Sequence, residues 1–531
     1  MAQLREIDAL FPLAGQNRGR AYAQNPQEGA YTTPRAINVR SVDPFERRGR
    51  GGTRPGLVDY VATDFGTTIT GMQKVTYIDA AGAFQEDLVV IADGTISIIQ
   101  GGSVTTSIAY FVDENGNNLV DESGNFLIET STVASVNPLG NTDAFNLAEY
   151  GGKVFLASTN PTSINPASGS VATVGNAPTS QPLIAVYKDR LVLGGSNNWN
   201  HFSEQGNFEG WTLGERESQV GAAISRVTGD GGVVGAVAKC YLSFKDDVFI
   251  IGTTDTLWII YGDPSKGMER VSIDVGIITQ HGACFTPDGT LVFLARDGLY
   301  TWQVGSKSEP KPFSPYVVPA SLRDISVTTN EITMQYDHKN KGIYLFVTPA
   351  TGSGEHWWID LRHKALWPIA FGNANHQPLA VATLGASGDS AVLVGCKDAC
   401  IREFANSATN DDGTAITSNL LIGPFRLGGK SGKDGMITSL VAELAQSSGT
   451  VNWRIVVADT AEEAIDNAVT DIEAGTTANV EPHNSGTFTA GYSSRKYPRA
   501  RGGWGVLWLN SAARWSFEAV ILFVKKLGRL R

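Results

Sequence analysis

The amino-acid sequence predicts an all-β protein: a β-propeller with roughly six to eight blades, carrying an extended N-terminal arm and a C-terminal β-sandwich. Three observations predict it. Short apolar runs are separated by tight turns of the Asp-Gly kind. The chain holds 59 glycines but only 4 cysteines in 531 residues, which suits a turn-rich β protein without disulfide staples. Paired-strand units return at spacings of about 40 residues, the range of propeller repeats. The clearest unit is TQHGACFTPDGTLVFLARDGLYTWQV, residues 279–304. It reads as strand, Pro287-Asp288-Gly289 turn, strand Leu291 to Ala295, Arg296-Asp297-Gly298 turn, strand Tyr300 to Val304. Glycine accepts the positive φ that such reversals need. One sheet of this kind cannot bury both faces, so several must stack, and a radial array is one way to do it.

Taken in order, residues 1–56 show little hydrophobic period and include Asn25-Pro, Thr33-Pro and the run FERRGRGGTRPG at 45–56. Such a segment cannot fold alone and is expected to be mobile or to lie along a partner surface as an extended arm. The propeller is expected over 57–406. Its strand pairs include EDLVVIADGTISIIQG at 86–101, PLIAVYKDRLVLGG at 182–195 and AKCYLSFKDDVFIIGTTDTLWIIYG at 238–262. An insertion at 108–130 contains two tandem copies of an eight-residue DExGNxL-β-branched pattern, from Asp113 and from Asp121. Each copy is a turn and a short strand, which predicts a protruding β tongue, with Asp113, Asn117, Asp121 and Asn125 as tongue or gate residues. Calcium is disfavoured there, because Asn118 stands where an EF-hand loop needs Gly and Gly124 where it needs Glu. After the polar stretch ANSATNDDGTAITS at 405–418 the texture changes, and 407–531 is expected to be the sandwich, with one helix at Thr460 to Ala468 capped by Thr460 and Glu463.

The net charge of −11 conceals an asymmetry. Residues 1–56 carry 9 Lys/Arg against 5 Asp/Glu, and residues 495–531 carry 9 against Glu518 alone, so the stretch between sums to −23. An acidic body is a poor grip for nucleic acid, which needs a basic stripe to displace counterions. The basic ends instead suggest contacts with neighbouring proteins, through Arg47, Arg48, Arg50 and Arg54 in the arm and Arg499, Arg501, Lys525, Lys526, Arg529 and Arg531 near the other end. No signal peptide or membrane-spanning segment is expected. GGKSGK at 428–433 has Pro424 where a phosphate loop requires Gly, and reads as a turn. Cys396 and Cys400 lack a second ligand pair for zinc. The seven histidines fall in no nucleophile or HExxH frame. HWWIDLRHKALW at 356–367 could stack sugars or bases, although tryptophans at this spacing more often pack between blades. No catalysis, metal or cofactor is expected.

Two stretches carry a family resemblance. YTTPRAINVR at 31–40 leads through Asp43-Pro-Phe to RGRGGTRPGL at 48–57, and YPRARGGW at 497–504 with WSFEAV at 515–520 runs into KLGRLR at 526–531. Together with the loop HFSEQGNFEGW at 201–211, these resemble the β-propeller tail nozzle, or tail tubular, proteins of short-tailed bacteriophages. The resemblance implies a structural virion protein forming a hexameric ring below the head-to-tail adaptor, assembled in the bacterial cytoplasm. Its implied partners are that adaptor, tail fibre or tail-tip proteins, and passing double-stranded DNA bound without sequence specificity. An acidic wall fits a conduit, since it repels the polyanion. The alternative is a receptor- or glycan-binding propeller at the tail tip, with glycan degradation as a further variant.

Overall fold

A computed structural model describes residues 4–529 apart from 18–30, 47, 62–63, 67, 80, 93–94, 101–102, 107, 111–127, 131–144, 215–219, 228–235, 307, 314–319, 386–389 and 430–432. Among the described residues, one antiparallel sheet follows another along the chain from Ile69 to Ala405. Sheets 1 to 6 have four strands each, and a seventh begins at Pro378–Leu384. Neighbouring sheets meet through their first strands. Ile69–Ile78 of sheet 1 lies beside Leu147–Tyr150 of sheet 2, and Pro378–Leu384 of sheet 7 lies beside Ile69–Ile78, which closes a ring. This is a β-propeller.

The continuous apolar runs of the second strands follow from that geometry. In Phe84–Ala92, Leu88 and Val90 point into a cluster shared with Leu393 and Ile401 of sheet 7. The alternate residues Val89 and Ile91 point into a different cluster, shared with Val154, Leu156 and Ile164 of sheet 2. A strand buried on both faces has no polar face to show. Phe249 and Ile250 repeat the pattern, packing toward sheets 3 and 5 respectively. Transferring one such side chain from water contributes ~1.5–3 kcal/mol, so the stacking of sheets, not any single sheet, stabilises the ring.

The turns anticipated from sequence behave as their chemistry requires. Lys188 and Asp189 form the two-residue connection between Tyr187 and Arg190, both with φ near +50° (47° and 53°), the mirror-image turn that matches strand twist. Gly289 sits at φ +84° with the Asp288 carboxylate bonded to Thr290 Oγ1 at 3.1 Å. In the 279–304 unit the strands are Ala283–Phe285, Thr290–Ala295 and Gly298–Gln303, completed by Lys311–Pro312.

Sheet 7 is finished by the other end of the chain. Gly56–Asp59 pairs antiparallel with Ile401–Ala405, so the first propeller residues form an outer strand of the last sheet rather than the start of sheet 1. Further on are two five-stranded sheets. One contains Lys433–Leu444 and Phe517–Arg529 with the arm strand Leu4–Ala9; the other contains Ser418–Arg426, Val451–Ala458 and Trp504–Ser511 with the arm strand Ala36–Ile37. Leu507, Leu509, Ile455, Leu440 and Leu522 bury their side chains between these sheets. The same cluster continues through Phe11 and Val39 of the arm to Trp358 and Trp367 of sheet 6 and Val394 of sheet 7. The arm is therefore docked within the chain itself.

The helix runs from Ala461 to Ala474, six residues beyond the predicted end. Thr460 caps it, its hydroxyl accepting from the Glu463 amide at 3.2 Å, and Gly475 ends it in the left-handed conformation, φ +64°. Ala464, Ile465, Ala468 and Val469 cover Leu421, Val456, Val506 and Trp508 on the outer face of the second sheet.

Candidate functional site

The predicted contact residues separate into three groups. Arg54 leaves the surface entirely: it and Asp411 have fully buried side chains. Its Nε donates to Asn38 Oδ1 at 2.8 Å, Nη1 donates to Pro55 O and Asp411 Oδ1 at 2.8 Å each, and Nη2 donates to Ala370 O at 3.1 Å and to Asp411 Oδ2. All five guanidinium N–H groups are used. Arg54 is thus a clamp joining the arm, sheet 6 and the segment after sheet 7, and its reading as a partner contact is corrected. Arg50 is similarly committed, with only 9% of its side chain exposed and ion pairs to Asp43 and Glu46 at 3.0 Å and to Glu518. Charge runs look exposed in a sequence, but here carboxylates distant in the chain neutralise two of the four arm arginines.

Arg48 remains largely exposed and pairs with Glu46 at 3.3 Å and Glu518 at 3.7 Å. It borders a groove of about 570 Å³ between the arm and the first C-terminal sheet, lined also by Glu443 and Tyr492. Arg47 and Arg531 lie outside the described residues, as do the tongue residues Asp113, Asn117, Asp121 and Asn125. At the base of that insertion, Ile108–Tyr110 and Ile128–Thr130 pair antiparallel.

The third group comes together. Arg499, Arg501, Lys525 and Lys526 are all exposed at the sheet built from Lys433–Leu444 and Phe517–Arg529, although Lys526, next in the strand to Lys525, points to the other face, beside Gly429. Lys525 and Arg501 flank Met436 in register from either side, and Arg501 bonds Asp434 at 3.1 Å. Arg529 ends the strand opposite Lys433. Arg495, which the sequence reading did not single out, adds to this face with its guanidinium 4.4 Å from the centroid of the Phe523 ring. The face is cationic because the register puts basic residues of two distant segments side by side.

At the ring's centre, the first strands of sheets 1, 2, 6 and 7 line a recess of about 450 Å³. Its polar groups include Gln73, Lys74, Glu149, Gln335 and His338. Lys74 pairs with Glu86 at 3.0 Å, and Glu149 accepts from Thr76 N and Oγ1 at 2.8 and 2.6 Å, so these charges are held by the walls. Among the described residues no three His, Cys, Asp or Glu side chains gather as a metal set, and no helix is long and apolar enough to cross a membrane. The tryptophans of 356–367 pack as core: Trp357 is buried against Val292 and Leu294 of sheet 5, and Trp358 and Trp367 against the arm and sheet 7. Burial pushes the Cys240, Cys284 and Cys396 thiols far above their ordinary values, so they are poor nucleophiles.

No protein-family model matches the chain, and no curated protein matches it in sequence. Among solved structures it is similar to YCF48 bound to D1 peptide, at 10% identity and TM-score 0.37, covering 66% of this chain and 97% of that one. It is also similar to the WD40 β-propeller domain of Doa1, at 11% identity and TM-score 0.35 with coverage of 66% and 97%. A third is virginiamycin B lyase from Staphylococcus aureus, at 10% identity and TM-score 0.38 with coverage of 65% and 97%.

Proposed function

We propose that the chain is a structural virion protein, a subunit of a ring-shaped tail nozzle that conducts double-stranded DNA without chemistry of its own. The observation that carries this reading is the cationic face of Arg495, Arg499, Arg501 and Lys525 on a sheet joined by one continuous core to a strongly acidic propeller. A body with one basic face and an acidic remainder favours head-to-tail contacts between copies, and such contacts close into rings. The head-to-tail adaptor and tail fibre or tail-tip proteins are the proposed neighbours, and the virion tail the proposed location. The proposed conduit lies on the ring axis between copies. The receptor- or glycan-binding alternative has less support, because Trp357, Trp358 and Trp367 are buried.

Native mass spectrometry and particle imaging of the full chain test the proposal. A cyclic hexamer with a pore wider than the duplex, lost in a Lys525→Glu/Lys526→Glu variant that keeps its fold, is the expected result. A monomer or trimer that binds glycans or cell surfaces would overturn it.

A further inference from the structure

A cavity of about 130 Å³ lies where the arm crosses sheet 6, lined by Arg40, Val42 and Pro44 of the arm, by Lys339, Asn340 and Lys341, and by Trp358 and Arg362. Four of the eight lining residues are cationic and none is a carboxylate. Arg40 is 3% exposed, and its Nε, Nη1 and Nη2 have no hydrogen-bond partner among the described residues. Its guanidinium lies 3.9 Å from the Trp358 ring centroid and 4.9 Å from that of Tyr344, whose buried hydroxyl interacts with the cation without meeting its N–H groups in hydrogen-bond geometry. Contrast Arg54, beyond the short hairpin that pairs Arg40 with Gly52, whose every donor is met.

The nearby acids do not repair the deficit. Asp360 accepts from Ser41 and from the Arg362 amide, with the Arg362 guanidinium at 3.5 Å and His363 at 3.3 Å. Asp337 is occupied by the Lys339 and Asn340 amides at 2.8 and 3.0 Å and by Asn340 Nδ2 at 2.7 Å. Lys339 reaches Glu403 at 3.7 Å. A buried charge with unmet donors is costly unless an anion or ordered water supplies acceptors.

We propose that this cavity binds a small tetrahedral oxyanion, phosphate or sulfate, which accepts from Arg40 and is ringed by Lys339, Lys341 and Arg362. One water needs ~10–15 Å³ of such space, so the volume admits an oxyanion. A guanidinium fork matches its oxygens in bidentate fashion. Bound there, the anion ties the arm to the hairpins of sheet 6. The inference does not depend on the nozzle reading.

The test is calorimetric titration and thermal unfolding of the full chain with sodium phosphate and sodium sulfate, against sodium chloride at matched ionic strength and pH. Saturable binding with a rising unfolding temperature is expected, and Arg40→Met should weaken affinity at least about tenfold. Lys341→Ala and Arg362→Ala, at exposed positions, should each weaken it severalfold, while Lys525→Ala on the C-terminal sheet leaves it unchanged. Absence of saturable binding by the wild-type chain would overturn the proposal and assign Arg40 to ring packing alone. Should Arg40→Met fail to fold, unaltered affinity in both Lys341→Ala and Arg362→Ala would equally overturn it.

Discussion

Replacing Asp411 with Ala tests the clamp that holds the arm to the propeller. Asp411 and Arg54 share two hydrogen bonds with no solvent access to either side chain, and Asp411 Oδ1 also accepts from the Leu57 amide at 3.2 Å. Loss of the carboxylate strands a buried guanidinium and a buried amide. Removing one partner of a buried pair costs ~3–5 kcal/mol, mostly the penalty on the charge left behind. Arg54→Met should cost a similar amount, because it strands the buried Asp411 carboxylate and leaves Pro55 O and Ala370 O without this donor, while Asn38 Oδ1 keeps the Ala370 amide at 2.9 Å. In the double variant Arg54→Met/Asp411→Leu no charge is stranded, so its loss should fall short of the sum of the singles by ~2 kcal/mol or more. Pro55 O, Ala370 O and the Leu57 amide still lack these partners, so wild-type stability should not return. Urea denaturation followed by tryptophan fluorescence measures all four corners of the cycle, and protease cleavage near Ala36–Ile37 reports release of the arm. Additive single effects, or an Asp411→Ala cost below ~1 kcal/mol, would refute the reasoning, since a surface pair behaves that way.

Other outcomes follow from single features. His356 is fully buried, and burial, aided by the Lys397 and Arg54 cations against a hydrogen bond with Gln377, pushes its pKa down from 6.5 to about 3. The unfolded chain therefore takes up this proton first, so stability is present above pH 6.5 and is lost as pH falls from there toward 3; His356→Gln should flatten that limb of an acid-unfolding curve by about one proton. Thr460→Ala should cost ~1 kcal/mol by removing the helix cap, read from denaturant midpoints, and Thr460→Ser should restore most of it. At Gly194 an added Cβ would collide with the Tyr241 hydroxyl that bonds Asn200, so Gly194→Ala should destabilise by ~1–3 kcal/mol and appear as a lowered unfolding temperature. Removing residues 1–40 exposes an edge in each C-terminal sheet, and size-exclusion chromatography should show aggregation in place of the native species.

What could be read from the sequence was local. Hairpin turns such as Lys188-Asp189 and the cap at Thr460 depend on residues within a few positions, and the blade pattern depends on apolar alternation, so these were legible. The end of the helix was missed because the acidic stretch Asp471 to Glu473 obscures the amphipathic pattern, although Gly475 marked the stop. The arm was illegible for a different reason. Ala36–Ile37 is too short to carry a period, and its partner Leu420–Asn419 lies hundreds of residues away. Arg50 and Arg54 sit in a basic run that a one-dimensional reading places in solvent, whereas Glu518 and Asp411 decide their burial. The convergence of Arg501 and Lys525 about Met436 likewise required the sheet register.

The long-range closure of sheet 7 by Gly56–Asp59, and of both C-terminal sheets by Leu4–Ala9 and Ala36–Ile37, bears on biogenesis. These arm segments leave the ribosome before the propeller, yet their partners near Ala405, Leu420 and Val524 leave it after most of the propeller. At ~5–20 residues per second, synthesis of 531 residues takes roughly half a minute to two minutes, and the arm waits through most of it. Sheets 1 to 6 can form in sequence as they emerge, but the ring stays unlatched until Ile401–Ala405 is made. A polypeptide truncated before residue 400 therefore carries an unpaired arm and an open ring, a ready substrate for chaperones and proteases, while emergence of the partner strands is what locks the molecule.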